Sequence, residues 1–254
     1  MKSVKSLLLA AFLFLIAAPV AHAQLGVTVG VDAANMYVWR GGKLGAVAVQ
    51  PSVDYLSPIG LGANIWFSGH GEAVDGSGLT TEIDYTLYYT LAVTEDITLS
   101  AGFINYVSNV GAPFGDDVTS KPEEFVGNVS EVNLGVKFPT VLFSPSLKFF
   151  KNVAASDANV AYEDAMYIEA AGGYDIKLTD DYTLSTSLVF GLGNESYTKD
   201  GDLGVCNIFP KVALPLSFME VSITPSVGFI YNPSAFAGAD ESFFVAGIGI
   251  YKSF

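Results

Sequence analysis

The chain contains one cysteine, Cys206, so no internal disulfide can form and a disulfide framework is excluded. Histidine is almost as scarce: His22 lies in the leader described below, and His70 is the other. No Cys/His spacing for a structural metal results. Cations are few, with 12 Lys and Arg against 26 Asp and Glu, and an acidic chain of this kind is no natural partner for nucleic acid, which wants a basic face. No P-loop, G-x-G-x-x-G or D-x-[DN]-x-[DN]-G loop occurs, so phosphate cradles and an EF-hand-type calcium site have no support, and no cofactor is expected. Past residue 23 no apolar run approaches the ~20 residues of a membrane-spanning helix.

The N-terminus carries Lys2 and Lys5, an apolar run from Leu7 to Val20, and Ala21-His22-Ala23 before Gln24. That is the pattern of a secretory signal with an A-x-A cleavage site. The expected domains are a cleaved leader, 1–23, and one mature domain, 24–254. A retained helix is the alternative, disfavoured by the shortness of the run, and the lack of a cysteine after the site argues against a lipoprotein. Removing the two lysines takes the formal charge from −14 to −16. An exported, acidic chain that is 50% hydrophobic, with 26 glycines, 13 tyrosines and 18 phenylalanines, fits either a soluble β-sandwich or an outer-membrane barrel.

Period-two alternation bounded by turn residues marks segments near 25–39, 45–56, 60–70, 79–93, 97–107, 123–138, 144–152, 163–178, 182–193, 203–216, 220–231 and 242–253. The connections alternate in length: RGGKLG then SPIG, GHGEAVDGSG then TED, SNVGAPFGDDVTSKPE then PTVLFS, NVAASDANVAYED then TDD, NESYTKDGDL then SFME, and lastly NPSAFAGADE. Short turns at one end and longer loops at the other are the habit of bacterial barrels, and a sandwich has no reason to keep that rhythm. The expected fold is all-β: a closed antiparallel transmembrane barrel, an up-and-down meander of about 12 strands with a range of 10–14.

The pleat supports this. Val27, Val29 and Val31, then Ile65 and Phe67, Tyr85, Leu87 and Tyr89, Val132 and Leu134, and Ile248 and Ile250 share one parity; Asp32, Asn64, Glu82, Asp84, Glu131, Glu169 and Asp175 hold the other. Charged residues on an enclosed face suit a wet lumen better than a dry core. Tyr37 and Trp39 continue the lipid-facing parity and are expected in an interfacial girdle, with Tyr55, Phe138, Tyr174 and Tyr182 forming the opposite girdle beside the short turns. Arg40 is expected to point into the mouth, and Cys206 outward. Pro51, Pro210 and Pro225 fall inside strands and are expected at bulges. The segment 144–152 is the weakest strand because Lys151 has outward parity and must snorkel.

YVWRG followed by QPSVDY, then SPIGLGANIWFSG, TEIDYTLYYT, YIEAAGGYDI and the closing FFVAGIGI resemble the outer-membrane porins called the TorF family. Phe254 resembles the terminal aromatic of outer-membrane barrels, although Tyr251 has the opposite parity to the usual signal and Lys252 takes its place. The resemblance covers most of the mature chain through strand motifs, implies a barrel whose solute is largely unassigned, and implies no catalytic residues.

Function is therefore sought in the lumen and loops. Asp32, Asp54, Glu82, Asp84, Glu131, Glu169 and Asp175 face Arg40, Lys137, Lys148, Lys177 and Lys211 by parity. Of these, Arg40, Glu82, Asp84, Glu131, Lys148 and Glu169 are the expected field-setting wall charges, with Lys148 about one diagonal step from Glu169. The external loops are acidic, as at Glu72, Asp75, Asp116, Asp117, Glu123, Glu124, Asp157 and Asp240. Such a vestibule either draws cations toward a pore or bridges through divalent ions to lipopolysaccharide. The longest loop, 108–122, is the expected constriction, or else a surface loop. The resulting expectation is an outer-membrane porin of a Gram-negative cell, exported through the periplasm. It would pass small hydrophilic solutes, preferring cations, with lipid and lipopolysaccharide as surroundings and an oligomeric state left open between monomer and trimer. One alternative is a closed structural or adhesive barrel; the other is a barrel hydrolase using His70 with Glu82 and Asp84, against which no inward serine follows His70.

Overall fold

A computed structural model describes residues 26–71, 80–108, 128–155, 163–195, 197–234 and 241–254. The leader, the acidic loop positions 72, 75, 116, 117, 123, 124, 157 and 240, and all of the expected constriction 108–122 except Ser108 lie outside the described residues. The strands are β1 Val27–Ala34, β2 Tyr37–Trp39, β3 Gly42–Gly45, β4 Ala48–Leu56, β5 Leu61–His70, β6 Thr80–Ala92, β7 Thr98–Ser108, β8 Asn128–Lys137, β9 Ser146–Ala155, β10 Met166–Lys177, β11 Thr183–Glu195, β12 Gly201–Ala213, β13 Leu216–Phe218, β14 Val221–Tyr231 and β15 Ser242–Ser253.

Thirteen of them form one antiparallel sheet in meander order, in which the short β13 continues β12, and β2 and β3 stand apart as a separate hairpin. β1 pairs with β15, Val31 opposite Ile250, while β12 pairs with β14, so the sheet closes on itself as a barrel of twelve staves. Closure removes the unpaired edges that a bilayer would not tolerate. The wall is inverted relative to a water-soluble protein: Leu87 is 55% exposed on the outside and Ile65 and Leu134 are similarly open, whereas Glu131, Ser68 and Asn152 are buried inside. Alternating sequence produces this because successive side chains in a strand point to opposite faces.

The expected first strand, 25–39, stops early. At Asn35 the side chain takes over the ladder, its Nδ2 donating to Phe244 O (3.2 Å) and its Oδ1 accepting from Ala246 N (2.9 Å). The chain then leaves the wall and turns inward as β2.

The three strand prolines sit without a register shift, contrary to the bulges expected for them. Pro51 and Pro210 instead leave gaps in one ladder each: the β4–β5 pairing passes from Val49 to Ser52, and the β12–β14 pairing passes from Ile208 to Lys211. A missing N–H costs a bond on one side only, and the other neighbour holds the strand in place. Pro225 lies where β14 passes from β12 to β13, and its carbonyl accepts from Leu214 N.

The bulges occur elsewhere. Between Gly191 and Leu192 the partner register jumps from Asn207 to Val205, leaving Cys206 as the extra residue. A bulge re-aims the side chain it carries, and Cys206 is buried inside the wall rather than facing lipid. A second bulge, at Ser130/Glu131, sets Glu131 opposite Asn152.

Candidate functional site

The β2–β3 hairpin crosses the lumen. Its turn residues Arg40 and Gly41 both have positive φ, 48° and 83°, the geometry of a two-residue type I′ turn. Glycine suits that region, and arginine is held there by what it binds.

The hairpin root is anchored against β5. Tyr37 packs at a tilt against Trp66 (5.6 Å between ring centroids) and the His70 ring (4.8 Å), and its hydroxyl hydrogen-bonds the Glu82 carboxylate. Backbone bonds Ala46 N to Gly71 O (2.9 Å) and Gly71 N to Val47 O (3.1 Å) tie the returning chain to the same strand. Across the lumen, Trp39 packs edge-on against Tyr106 (5.5 Å) and beside Tyr197 (5.4 Å). Asn232 Nδ2 donates to Gly41 O at the tip.

Arg40 ends in a closed socket. Its Nη2 donates to Glu131 Oε1 (2.8 Å), Nη1 stands 2.6 Å from Glu131 Oε2, and Nη1 also donates to the Tyr197 hydroxyl. The guanidinium carbon lies over the rings of Trp39 (4.7 Å), Phe150 (4.5 Å), Tyr167 (4.7 Å) and Tyr197 (5.2 Å). Glu131 is held in turn by the Tyr106 hydroxyl (3.0 Å). A fully buried carboxylate is costly unless paired and hydrogen-bonded, and this one is both.

Two cavities in the lumen are lined by described residues. One, of about 800 Å³, lies toward the short turns and is lined by Lys137, Lys148, Glu169, Asp175 and several hydroxyls, among them Thr90, Ser100 and Ser146. The other, of about 380 Å³, lies beside the hairpin and meets Arg40, Asp32, Gln50, Lys211 and Tyr251. Within it the Tyr251 hydroxyl donates to Asp32, so the parity that departs from the usual terminal signal gives Asp32 its partner.

Most of the expected lumen charges are on the inner face, but they are not one cluster. Glu82 and Asp84 lie together on β6 near the hairpin root, and Glu131 holds Arg40. Lys148 and Glu169 are direct cross-strand partners, one step closer in register than expected, and both face the larger cavity. The ion pairs among the described residues do not include this one. Lys177 instead pairs with Asp180 at a short turn (2.7 Å), and Lys151 pairs with Asp164 (2.8 Å) at the long-loop end.

Tyr37 and Trp39 are the clear correction. They were expected in a lipid girdle, yet Tyr37 is only 5% exposed and both rings lie inside the barrel. Parity fails because the strand it was counted along ends at Asn35. The local signal for this departure is the Arg40-Gly41 turn between the short segments YVW and GKLG. Tyr55, Tyr174 and Tyr182 are exposed beside short turns, and Phe138 is partly exposed there; Phe143 packs edge-on against Tyr174 (5.9 Å).

His70 has an inward serine after all, preceding rather than following it: Ser68 Oγ lies 3.1 Å from His70 Nδ1. Ser68 also takes Gln50 Nε2 (3.3 Å), and Tyr37 covers the imidazole. Both residues are buried under the hairpin root, where they anchor it.

No protein-family model matches the chain, and no curated protein sequence does. Solved structures are similar in fold. The NanC porin is 10% identical over 89% of this chain and all of its own, with a TM-score of 0.59. The KdgM porin in complex with disordered oligogalacturonate is 10% identical over 89% of this chain and 99% of its own, with a TM-score of 0.56. LpxR from Salmonella typhimurium is 11% identical over 89% of this chain and all of its own, with a TM-score of 0.51. At such identities these likenesses establish the barrel fold.

Proposed function

We propose that the chain is an outer-membrane porin that passes small hydrophilic solutes by diffusion and prefers cations. The observation that supports it is the inverted wall: an apolar outer face along the described strands, enclosing a charged lumen that holds one cavity toward the short turns and another beside the inward hairpin. Charged groups of both signs line the cavities, Asp32, Glu169 and Asp175 with Arg40, Lys137, Lys148 and Lys211; Asp54, Glu82, Asp84 and Glu131 add carboxylates to the rest of the inner face, and a narrow low-dielectric passage focuses such a field. The resemblance to the TorF family and the fold likeness to porins support the same reading. In this reading the long loops face outward among lipopolysaccharide and the short turns face the periplasm, with Tyr55, Phe138, Tyr174 and Tyr182 at that interface. A secretory leader at 1–23 would deliver the chain through the periplasm of a Gram-negative cell.

The test is single-channel recording from the refolded mature chain in a planar bilayer under a salt gradient. Openings with a cation-selective reversal potential are the expected result. A folded, heat-resistant barrel that never conducts would favour the closed structural reading, for which the lumen-crossing hairpin is the specific support.

A further inference from the structure

The Arg40 socket is more elaborate than fastening a hairpin requires. One buried carboxylate would be enough to hold a cationic side chain. Here four rings enclose the cation at 4.5–5.2 Å in addition to Glu131. A planar guanidinium stacks on aromatic faces and matches a carboxylate with two parallel donors, whereas an ammonium is a strongly hydrated point charge. The socket is therefore shaped for one cation chemistry.

Nearly all of it belongs to the wall side. Glu131 comes from β8, Phe150 from β9, Tyr167 from β10 and Tyr197 from the connection after β11, with Phe150 and Tyr197 both packed on Tyr167 (5.8 and 5.7 Å). Only Trp39 arrives with the hairpin. Withdrawal of the hairpin leaves Phe150, Tyr167 and Glu131 in place on hydrogen-bonded strands, with Tyr197 beside them on the connection after β11. It also leaves Glu131 without a counter-charge in a site where an unpaired charge is strongly unfavourable, so release of the hairpin and entry of another cation are coupled, and the coupling is reciprocal.

We propose that this socket is a binding site for guanidinium-bearing solutes, occupied by the chain's own Arg40, and that a solute taking its place releases the hairpin and widens the smaller lumen cavity, which Met36, Val38, Arg40 and Gly41 line. The binding claim stands by itself; its consequence for passage rests on the porin reading. Because Arg40 is tethered, its effective concentration is on the order of millimolar, and a competing solute must reach or exceed that range.

Methylguanidinium chloride is the probe, with methylammonium chloride at equal ionic strength as its control. Applied to the refolded wild-type barrel in a planar bilayer at tens of millimolar (~10-fold above that effective concentration), methylguanidinium is expected to raise conductance several-fold and methylammonium to leave it unchanged. In Arg40→Ala the hairpin is unlatched, conductance is high without ligand, and methylguanidinium now enters the vacant socket, giving a calorimetric binding signal that Glu131→Gln abolishes. Equal effects of the two cations in both proteins would overturn the proposal. An Arg40→Ala barrel that conducts but binds no methylguanidinium would do the same while leaving the porin reading intact. One that binds methylguanidinium without ever conducting would reject the porin reading and keep the site. If Arg40→Ala does not fold, judged by heat-modifiable gel mobility, Arg40→Lys takes its place: methylguanidinium is expected to displace the lysine at lower concentration than it displaces arginine, and an unchanged concentration dependence would refute the socket's preference.

Discussion

Gly41 stands directly against Cys206: a β-carbon on Gly41 would fall 1.9 Å from the Cys206 carbonyl oxygen. The tip of the hairpin is thus seated on the bulge in β12, and the bulge exists where Cys206 is the unpaired extra residue. Gly41 also has positive φ, so two independent constraints select glycine.

Gly41→Ala should therefore unseat the tip while leaving the barrel wall closed, because no wall pairing involves Gly41. Cys206, fully buried in the wild type, becomes the reporter. Maleimide labelling of the folded barrel should be negligible in the wild type and rapid in Gly41→Ala. Equal protection in both would mean that the tip tolerates the methyl group in place.

Removing the socket carboxylate tests the same latch from the other side. Breaking a buried ion pair typically costs about 3–5 kcal/mol, and a hairpin can escape that cost by leaving. Glu131→Ala should retain heat-modifiable barrel mobility yet become cleavable by trypsin after Arg40 or Lys43. Resistance equal to the wild type would show that the aromatic contacts suffice.

The two faces of β6 should respond unequally to substitution. Leu87 lies near the middle of that strand and faces outward, so Leu87→Arg should destabilise the bilayer-inserted barrel by about 2–4 kcal/mol. Thr86→Ser, on the inner face next to it, should change stability little. Urea-dependent folding into lipid vesicles measures both, and equal effects would refute the assignment of faces.

Lys148 and Glu169 are two of the four charges that line the larger cavity, with Lys137 and Asp175. Lys148→Glu should move the reversal potential further toward the cation equilibrium value, and Glu169→Lys should move it back, each more strongly at low salt because screening weakens the field. Unchanged selectivity in both would place the ion path away from this wall.

Much of this arrangement is written locally. Alternation along each strand, turn residues between strands and the rhythm of short and long connections placed the barrel and the inner face of Asp32, Glu82, Asp84, Glu131, Lys148 and Glu169, because the two-residue period of a strand needs no knowledge of its neighbours. The same rule failed at Tyr37 and Trp39, where one asparagine side chain ends the ladder and the period loses its meaning. It failed again at Cys206, where a bulge reverses the parity for a single residue.

Hydrophobic pattern and turn chemistry act over a few residues at a time, and they suffice to specify a closed barrel with an apolar outer face and a charged inner one. What stands inside it depends on contacts between distant segments. Arg40 meets Glu131 from 91 residues away and Tyr197 from 157, and neither meeting leaves any periodic trace in the chain. Only closure of the wall brings β8, β9 and β10 opposite the first hairpin, and only then does a buried carboxylate draw that hairpin across the lumen.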